Sequence, residues 1–203
     1  MTTVQKELPS GWKWVKLGEV ITEQGKSTVK VKDSLPEGEY PFFTSGENIY
    51  RSNQFLVEGN NIFVSTGGNA IIKHYDGKAS YSTDTYCITT NEGYDCDYLY
   101  YFLTYKIEEI NSNMFIGAGL KHLQKKQFRN LPIPLPSIEE QKRIVGILNK
   151  AEEIKKLRED ADKKTEELIP AIFNEMVGSR TKKGEELPAD WKWVKLRDVC
   201  EFA

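Results

Sequence analysis

The residues best suited to metal or nucleophile chemistry are two histidines, His74 and His122, and three cysteines, Cys87, Cys96 and Cys200. Zinc ligands come in closely spaced pairs. These five are scattered singly, so no metal centre is expected. Asp95 and Asp97 could form a carboxylate pair for acid–base work, but within Gly-Tyr-Asp-Cys-Asp-Tyr they read as a turn and a helix cap. Gly117-Ala-Gly119 lacks the third glycine and the acidic partner of a dinucleotide fingerprint. Thr66-Gly67-Gly68-Asn69 is followed by no Lys-Ser or Lys-Thr, so it is not a phosphate loop, and no Gly-x-Ser-x-Gly is present. The expectation is a non-catalytic chain with no catalytic residues and no cofactor.

Binding chemistry is better represented. Gly25–Lys32 places Lys26, Lys30 and Lys32 in a polar loop, and Phe43–Arg51 carries Ser45, Asn48 and Arg51. Such side chains reach phosphates and base edges. Lys73-His74-Tyr75-Asp-Gly-Lys78 has the composition of a hairpin tip with two cations, and Lys121, His122 and Gln124 follow a glycine pair. These thirteen residues are the candidate DNA-binding set. Each loop alone also resembles an ordinary solvated loop, so their joint meaning rests on convergence at one face. Charge offers no further help. The formal net charge is −2, and residues 1–136 carry 14 Lys and Arg against 15 Asp and Glu. Any DNA contact must therefore use a local basic surface.

The elements that would hold these loops can be read from periodicity. Residues 1–136 are rich in aromatic, β-branched and glycine residues, predicting a sheet-rich mixed α+β domain, with a twisted, partly barrel-like sheet. Strands are expected at Asn61–Ser65, Ala70–Tyr75 and Thr85–Thr90, with turns at Thr66–Asn69 and a hairpin turn at Asp76-Gly77. Tyr98–Ile110 has helical spacing. Leu131-Pro-Ile-Pro-Leu-Pro136 enforces an extended segment that ends the domain. Ser137 is placed to cap a helix, with Glu140 in the capping-box position.

Residues 137–178 form one long helical pattern. Ile147, Ala151, Ile154, Ala161, Leu168 and Ile172, with Arg158 and Thr165 as polar breaks, make a coiled-coil seam. A helix of this length spans roughly 60 Å and cannot bury its stripe on a small domain, so a homodimer through this segment is expected. Pro170 should kink or restart the helix, and Gly178 should stop it. Residues 179–203 then read as a linker and the start of a second repeat. Residues 186–196 match residues 7–17 at nine of eleven positions, and all four tryptophans lie in these two copies. The odd, widely spaced cysteines and a polar N-terminus without a signal-peptide core predict a cytoplasmic protein without a membrane segment.

Several of these features coincide in one family. Leu8-Pro-x-x-Trp12 with Val15–Val20, Gly119-Leu-Lys-His-Leu123, the alternating prolines of 131–136, Glu139-Glu-Gln-Lys-Arg-Ile144 and the charged helix resemble the specificity subunit of type I restriction-modification enzymes. The resemblance implies a target-recognition domain over 1–136, which reads half of a bipartite site in double-stranded DNA. It implies a spacer helix over 137–178. It also implies modification (methyltransferase) subunits that bind S-adenosylmethionine, and a restriction subunit, as partners. A full subunit of that family has two such domains and an antiparallel helix pair. This chain has one domain, one helix and the opening of a second. A coiled-coil interaction or regulatory protein without sequence-specific DNA readout is the alternative.

Overall fold

The computed structural model describes residues 7–177, 191–195 and 198–200. The chain divides into two compact units, one through Leu148 and one from Asn149 on. In chain order the first unit contains β1 (Lys13–Lys16), α1 (Leu17–Val20), β2 (Ile21–Glu23), β3 (Tyr40–Phe43), β4 (Ile49–Ser52), β5 (Asn60–Ser65), β6 (Ile72–Asp76), β7 (Ser80–Tyr81) and β8 (Thr85–Thr90). It continues with α2 (Cys96–Tyr105), α3 (Ile107–Met114), β9 (Phe115–Ile116), β10 (His122–Leu123), α4 (Lys125–Arg129) and β11 (Pro132–Leu135). Helix α5 (Ile138–Met176) begins in this unit.

The central sheet runs β2-β8-β5-β6, antiparallel throughout, and a second sheet runs β4-β3-β7. Strands β5 and β8 are buried on both faces, which explains their near-continuous apolar runs. Side-chain alternation divides them between two cores. Ile62, Val64, Tyr86 and Ile88 join the main core with Leu17, Leu99, Leu103, Ile110, Phe128 and Ile133. Phe63 and Cys87 point to a smaller core with Phe43, Val57, Ala79 and Tyr81. Phe43 and Phe63 stack there at 4.0 Å between centroids.

The proline segment is β11, antiparallel to β1 with Val15 opposite Ile133. Successive N–H groups of a strand face opposite edges, so Pro132 and Pro134 lack donors on one edge only. Ile133 and Leu135 keep theirs for β1. On the other edge the Tyr98 hydroxyl donates to the Pro134 carbonyl at 2.5 Å.

Asp95 caps α2, its carboxylate accepting from the Tyr98 N–H at 2.9 Å. Ser137 caps α5, but only from one side: its hydroxyl accepts from the Glu140 N–H at 3.4 Å, and the Glu140 carboxylate pairs with Arg143 instead. Gln141, 1% exposed, accepts from the Asp95 N–H and donates to the Pro136 carbonyl, both at 3.0 Å. With Val145 also buried, the first turns of α5 are part of the first unit.

Two sequence expectations are corrected. The helix expected over 98–110 is two helices, broken at Lys106 (φ −90°, ψ 8°). Asp76-Gly77 does not join β6 to β8: the chain leaves for β7 in the other sheet, and β8 pairs with β2 and β5. The hairpin turn in this sheet is Thr66–Asn69, between β5 and β6. Helix α5 continues through Pro170 to Met176. In the second unit its side chains are exposed, and with Ile147 of the first unit also exposed the whole expected seam is uncovered. The expected stop at Gly178, the linker of 179–184 and the first residues of the repeat, through 190, lie outside the described residues.

Candidate nucleic-acid interface

Loops from distant parts of the sequence are hydrogen-bonded into one cluster. The Asp84 carbonyl accepts from the Thr66 hydroxyl at 2.7 Å, from the Thr66 N–H at 3.0 Å and from the Ser45 hydroxyl. Thr66 in turn accepts from the Leu123 N–H at 3.0 Å, and Gly68 donates to the Lys121 carbonyl at 2.9 Å. Thr83 donates to the Val29 carbonyl at 2.9 Å, and the Tyr81 hydroxyl donates to the Gly25 carbonyl. Segments 25–29, 45–48, 66–68, 81–84 and 121–123 thus hold one another. The β9–β10 turn has its own constraint: a Cβ on Gly117 would stand 2.4 Å from the Leu120 carbonyl oxygen, so only glycine fits.

Around this cluster the structure gathers Lys26, Ser45, Asn48, Lys73, Lys121 and His122 on neighbouring loops and strand ends. Asn48, Lys121 and His122 are exposed, and Gln124, half-buried, donates back to the His122 carbonyl at 3.1 Å. Lys30 precedes a single 3₁₀ turn, Val31–Asp33, Lys32 lies within it, and both are exposed. Arg51 lies exposed on β4, opposite Pro41 and bridged to Leu35.

Two candidates face inward. The Lys73 ammonium donates to the carbonyls of Thr44 at 3.4 Å, Gly46, and Asn48 at 3.2 Å. Burial lowers its pKa, with Glu47 opposing that shift. Lys73 is a clamp on the 44–48 loop. Its neighbour His74 turns to the other face of β6, where it meets the Asp97 carboxylate at 2.9 Å and stacks on Tyr100 at 5.1 Å. Tyr75, paired with Asn61, lies at the Asn60–Asp76 end of the β5–β6 ladder and Lys78 lies beyond that end, away from the 66–69 turn. There Lys78 sits 4.8 Å from the Phe55 ring centre. The expected hairpin tip is therefore dispersed over two faces and the far end of the strands.

Sequence reading missed Thr66, Ser82 and Asp84. The hydroxyl-rich run Ser82-Thr-Asp-Thr85 was the available signal: Ser82 bonds the Asp84 carboxylate and meets the Thr85 hydroxyl at 2.9 Å. It also missed a cleft of about 500 Å³ between α1 and α4, where Lys16, Lys125, Lys126 and Arg129 mingle with Glu19 and Glu23. Arg129 pairs with Glu23 at 3.1 Å, and Lys125 lies 4.0 Å from the Tyr86 ring centre. Among the described residues no cluster of three or more His, Cys, Asp or Glu could hold a metal ion, and no helix is long and apolar enough to cross a membrane.

Residues 9–166 match the model of the type I restriction modification DNA specificity domain. The chain belongs to this specificity family. It is 29% identical over an alignment of length 214 to the type I restriction enzyme MjaVIII specificity subunit of Methanocaldococcus jannaschii, covering 96% of this chain and 50% of that one. The type I restriction enzyme EcoDI specificity subunit of Escherichia coli is 25% identical, with 97% and 50% covered. The chain thus spans about half the length of the curated relatives it matches. The fold is shared with the S subunit of a type I restriction-modification system from M. genitalium, at TM-score 0.63, 20% identity, and 74% and 41% coverage. A solved structure from work on complex assembly and conformational transition of the type I R-M system gives TM-score 0.64 at 23% identity, covering 83% and 45%. In a specificity-family domain, a rigid cluster of loop ends on a packed sheet is an arrangement suited to target contact.

Proposed function

We propose that this chain is a non-catalytic DNA-specificity subunit in which the first unit reads one half of a split duplex site. The observation that carries this reading is the loop cluster around the Asp84 carbonyl. Loops bonded to one another lose little further entropy on binding, so the side chains they display are pre-organised. Lys26, Asn48, Lys121 and His122 are displayed there, with Lys30, Lys32 and Arg51 as flanking contacts. Lys73 supports the reading surface by fixing its 44–48 loop. Methyl transfer and cleavage belong to separate modification and restriction subunits that the specificity chain positions. With no net positive charge, the chain alone binds DNA weakly and with strong salt dependence, and modification subunits strengthen the binding.

The spacer is the proposed role of α5. Its exposed seam, Ile147, Ala151, Ile154, Ala161, Leu168 and Ile172, pairs antiparallel with that of a second copy. A two-fold dimer presents the same readout to opposite strands, so the site is an interrupted palindrome. One heptad inserted near Lys155 lengthens the helix by ~10 Å, about three base pairs of spacer.

Two measurements test these proposals. Methylome sequencing of a host carrying this chain and its modification subunit should give a palindromic motif with an unread spacer; an asymmetric motif would overturn the homodimer. Titration of the reconstituted complex with that site should show Lys121→Ala and Arg51→Ala weakening binding. Lys121→Ala leaves the backbone bond from Gly68 in place, so a loss reports on DNA contact. Binding that is independent of sequence would favour the regulatory alternative.

A further inference from the structure

An apolar groove of about 430 Å³ lies beside the start of α5, lined by Trp12, Tyr101, Phe102, Tyr105, Ile144 and Leu148. Tyr105 is 80% exposed, an unusual state for a large aromatic side chain. At the other end of α5, Ile169, Phe173 and Met176 form a second apolar stripe next to the seam. Phe173 is 65% exposed.

We infer that the groove of one copy receives the α5 tip of a second copy, Ile169, Phe173 and Met176. The inference rests on the antiparallel pairing proposed above, and the seam itself argues for the match. Ile147 with Ile172, Ala151 with Leu168, Ile154 with Thr165, and Arg158 with Ala161 are all centred on one point between Glu159 and Asp160. Helix α5 is therefore self-complementary when antiparallel, and every layer joins an a position to a d position. In this register the flanking e positions also match. Lys155 meets the second copy's Asp162, and Leu148 meets its Ile169, so cation faces anion and apolar faces apolar. Leu148 is also a wall of the groove, so the apolar flank of the seam continues directly into it. Phe173 of the second copy then comes level with the Ile144–Leu148 turn, which carries the other wall, and Met176 with Arg143 just before it. The occupant is apolar, helical and delivered by the same register that pairs the seam.

The test uses the full-length chain with Cys200→Ser, leaving only the buried Cys87 and Cys96. A tagged copy with Tyr105→Cys and an untagged copy with Phe173→Cys are co-expressed and treated with a short bis-maleimide. The inference predicts a tagged–untagged cross-link, which is lost when Lys26→Cys replaces Tyr105→Cys. Tyr105→Glu, a surface change, should raise the dimer dissociation constant about tenfold or more, because a carboxylate would face apolar groups. A dimer of unchanged affinity without the cross-link would overturn the groove assignment and leave the seam dimer standing. A monomer at all concentrations would overturn both. If Tyr105→Glu spares the dimer but abolishes association with modification subunits, the groove is theirs and the inference fails.

Discussion

Lys13–Lys16 and residues 192–195 are the same four residues, Lys-Trp-Val-Lys, in two places. At the first they form β1 against β11, Val15 packs against the main core, and the following Leu17 is 0% exposed. At the second they have no regular structure. Trp193 there is 73% exposed, against 38% for Trp14 in the first copy. The two differ in what lies beside them. β11 offers the first copy a row of carbonyls and N–H groups and an apolar floor, and none of the described residues does so for the second. Strand preference expresses fit to a half-buried pleated surface, and it has no effect where that surface is missing.

The strongest way to break the first copy is Leu17→Ala, which empties a fully buried site. It should cost about 2–5 kcal/mol and lower the urea midpoint without changing the slope. A loss under 1 kcal/mol would mean that β1 is held by its backbone pairing alone. Gln141→Leu comes next. It leaves the Asp95 N–H and the Pro136 carbonyl without partners at the join of β11 and α5, at a cost of roughly 1–3 kcal/mol. Urea melts followed by tryptophan fluorescence should show the loss, because Trp12 and Trp14 flank this join.

Tyr98→Phe removes the hydroxyl that holds β11 from behind and should cost about 1 kcal/mol. The same contact can be probed by pH. Burial pushes the Tyr98 hydroxyl up to about 12 from its ordinary 10.0. The folded state thus keeps its proton where the unfolded chain has released it. The stability from this group is fully present below pH 10 and is lost as pH rises towards 12. In alkaline melts the gap between wild type and Tyr98→Phe should close across this range. A gap that stays constant to pH 12 would mean the hydroxyl is not ionised on unfolding.

The smallest effect sharpens the comparison from the other side. Val194→Ala and Trp193→Ala should each change stability by less than about 0.5 kcal/mol, as exposed positions do. A shift of 1 kcal/mol or more in a thermal melt would show that the second copy has found a partner strand in solution.

Features governed by local chemistry were legible in the sequence. The prolines of 131–136 cannot be helical, Asp95 has the side chain and position of a cap, and the 66–69 turn carries two glycines between apolar runs. The strand at 85–90 and the long helix are set by periodicity. Other features depended on neighbours remote in sequence. Asp76-Gly77 has hairpin composition, yet the partner that β6 would have turned back to is taken by β5 and β2, so the chain crosses to the other sheet. Lys73 and His74 look equivalent in the sequence, but strand alternation sends one to the 44–48 carbonyls and the other to Asp97. Their burial and bonds depend on which loops and helices cover each face. The sequence by itself determined the central strands, the extended proline segment, the long helix, the repeat and the spacing of the seam, because those arise from backbone sterics and periodicity. Only the tertiary structure decided which loops meet around the Asp84 carbonyl and which copy of the repeat becomes a strand. Both outcomes require a specific partner surface supplied by residues far along the chain.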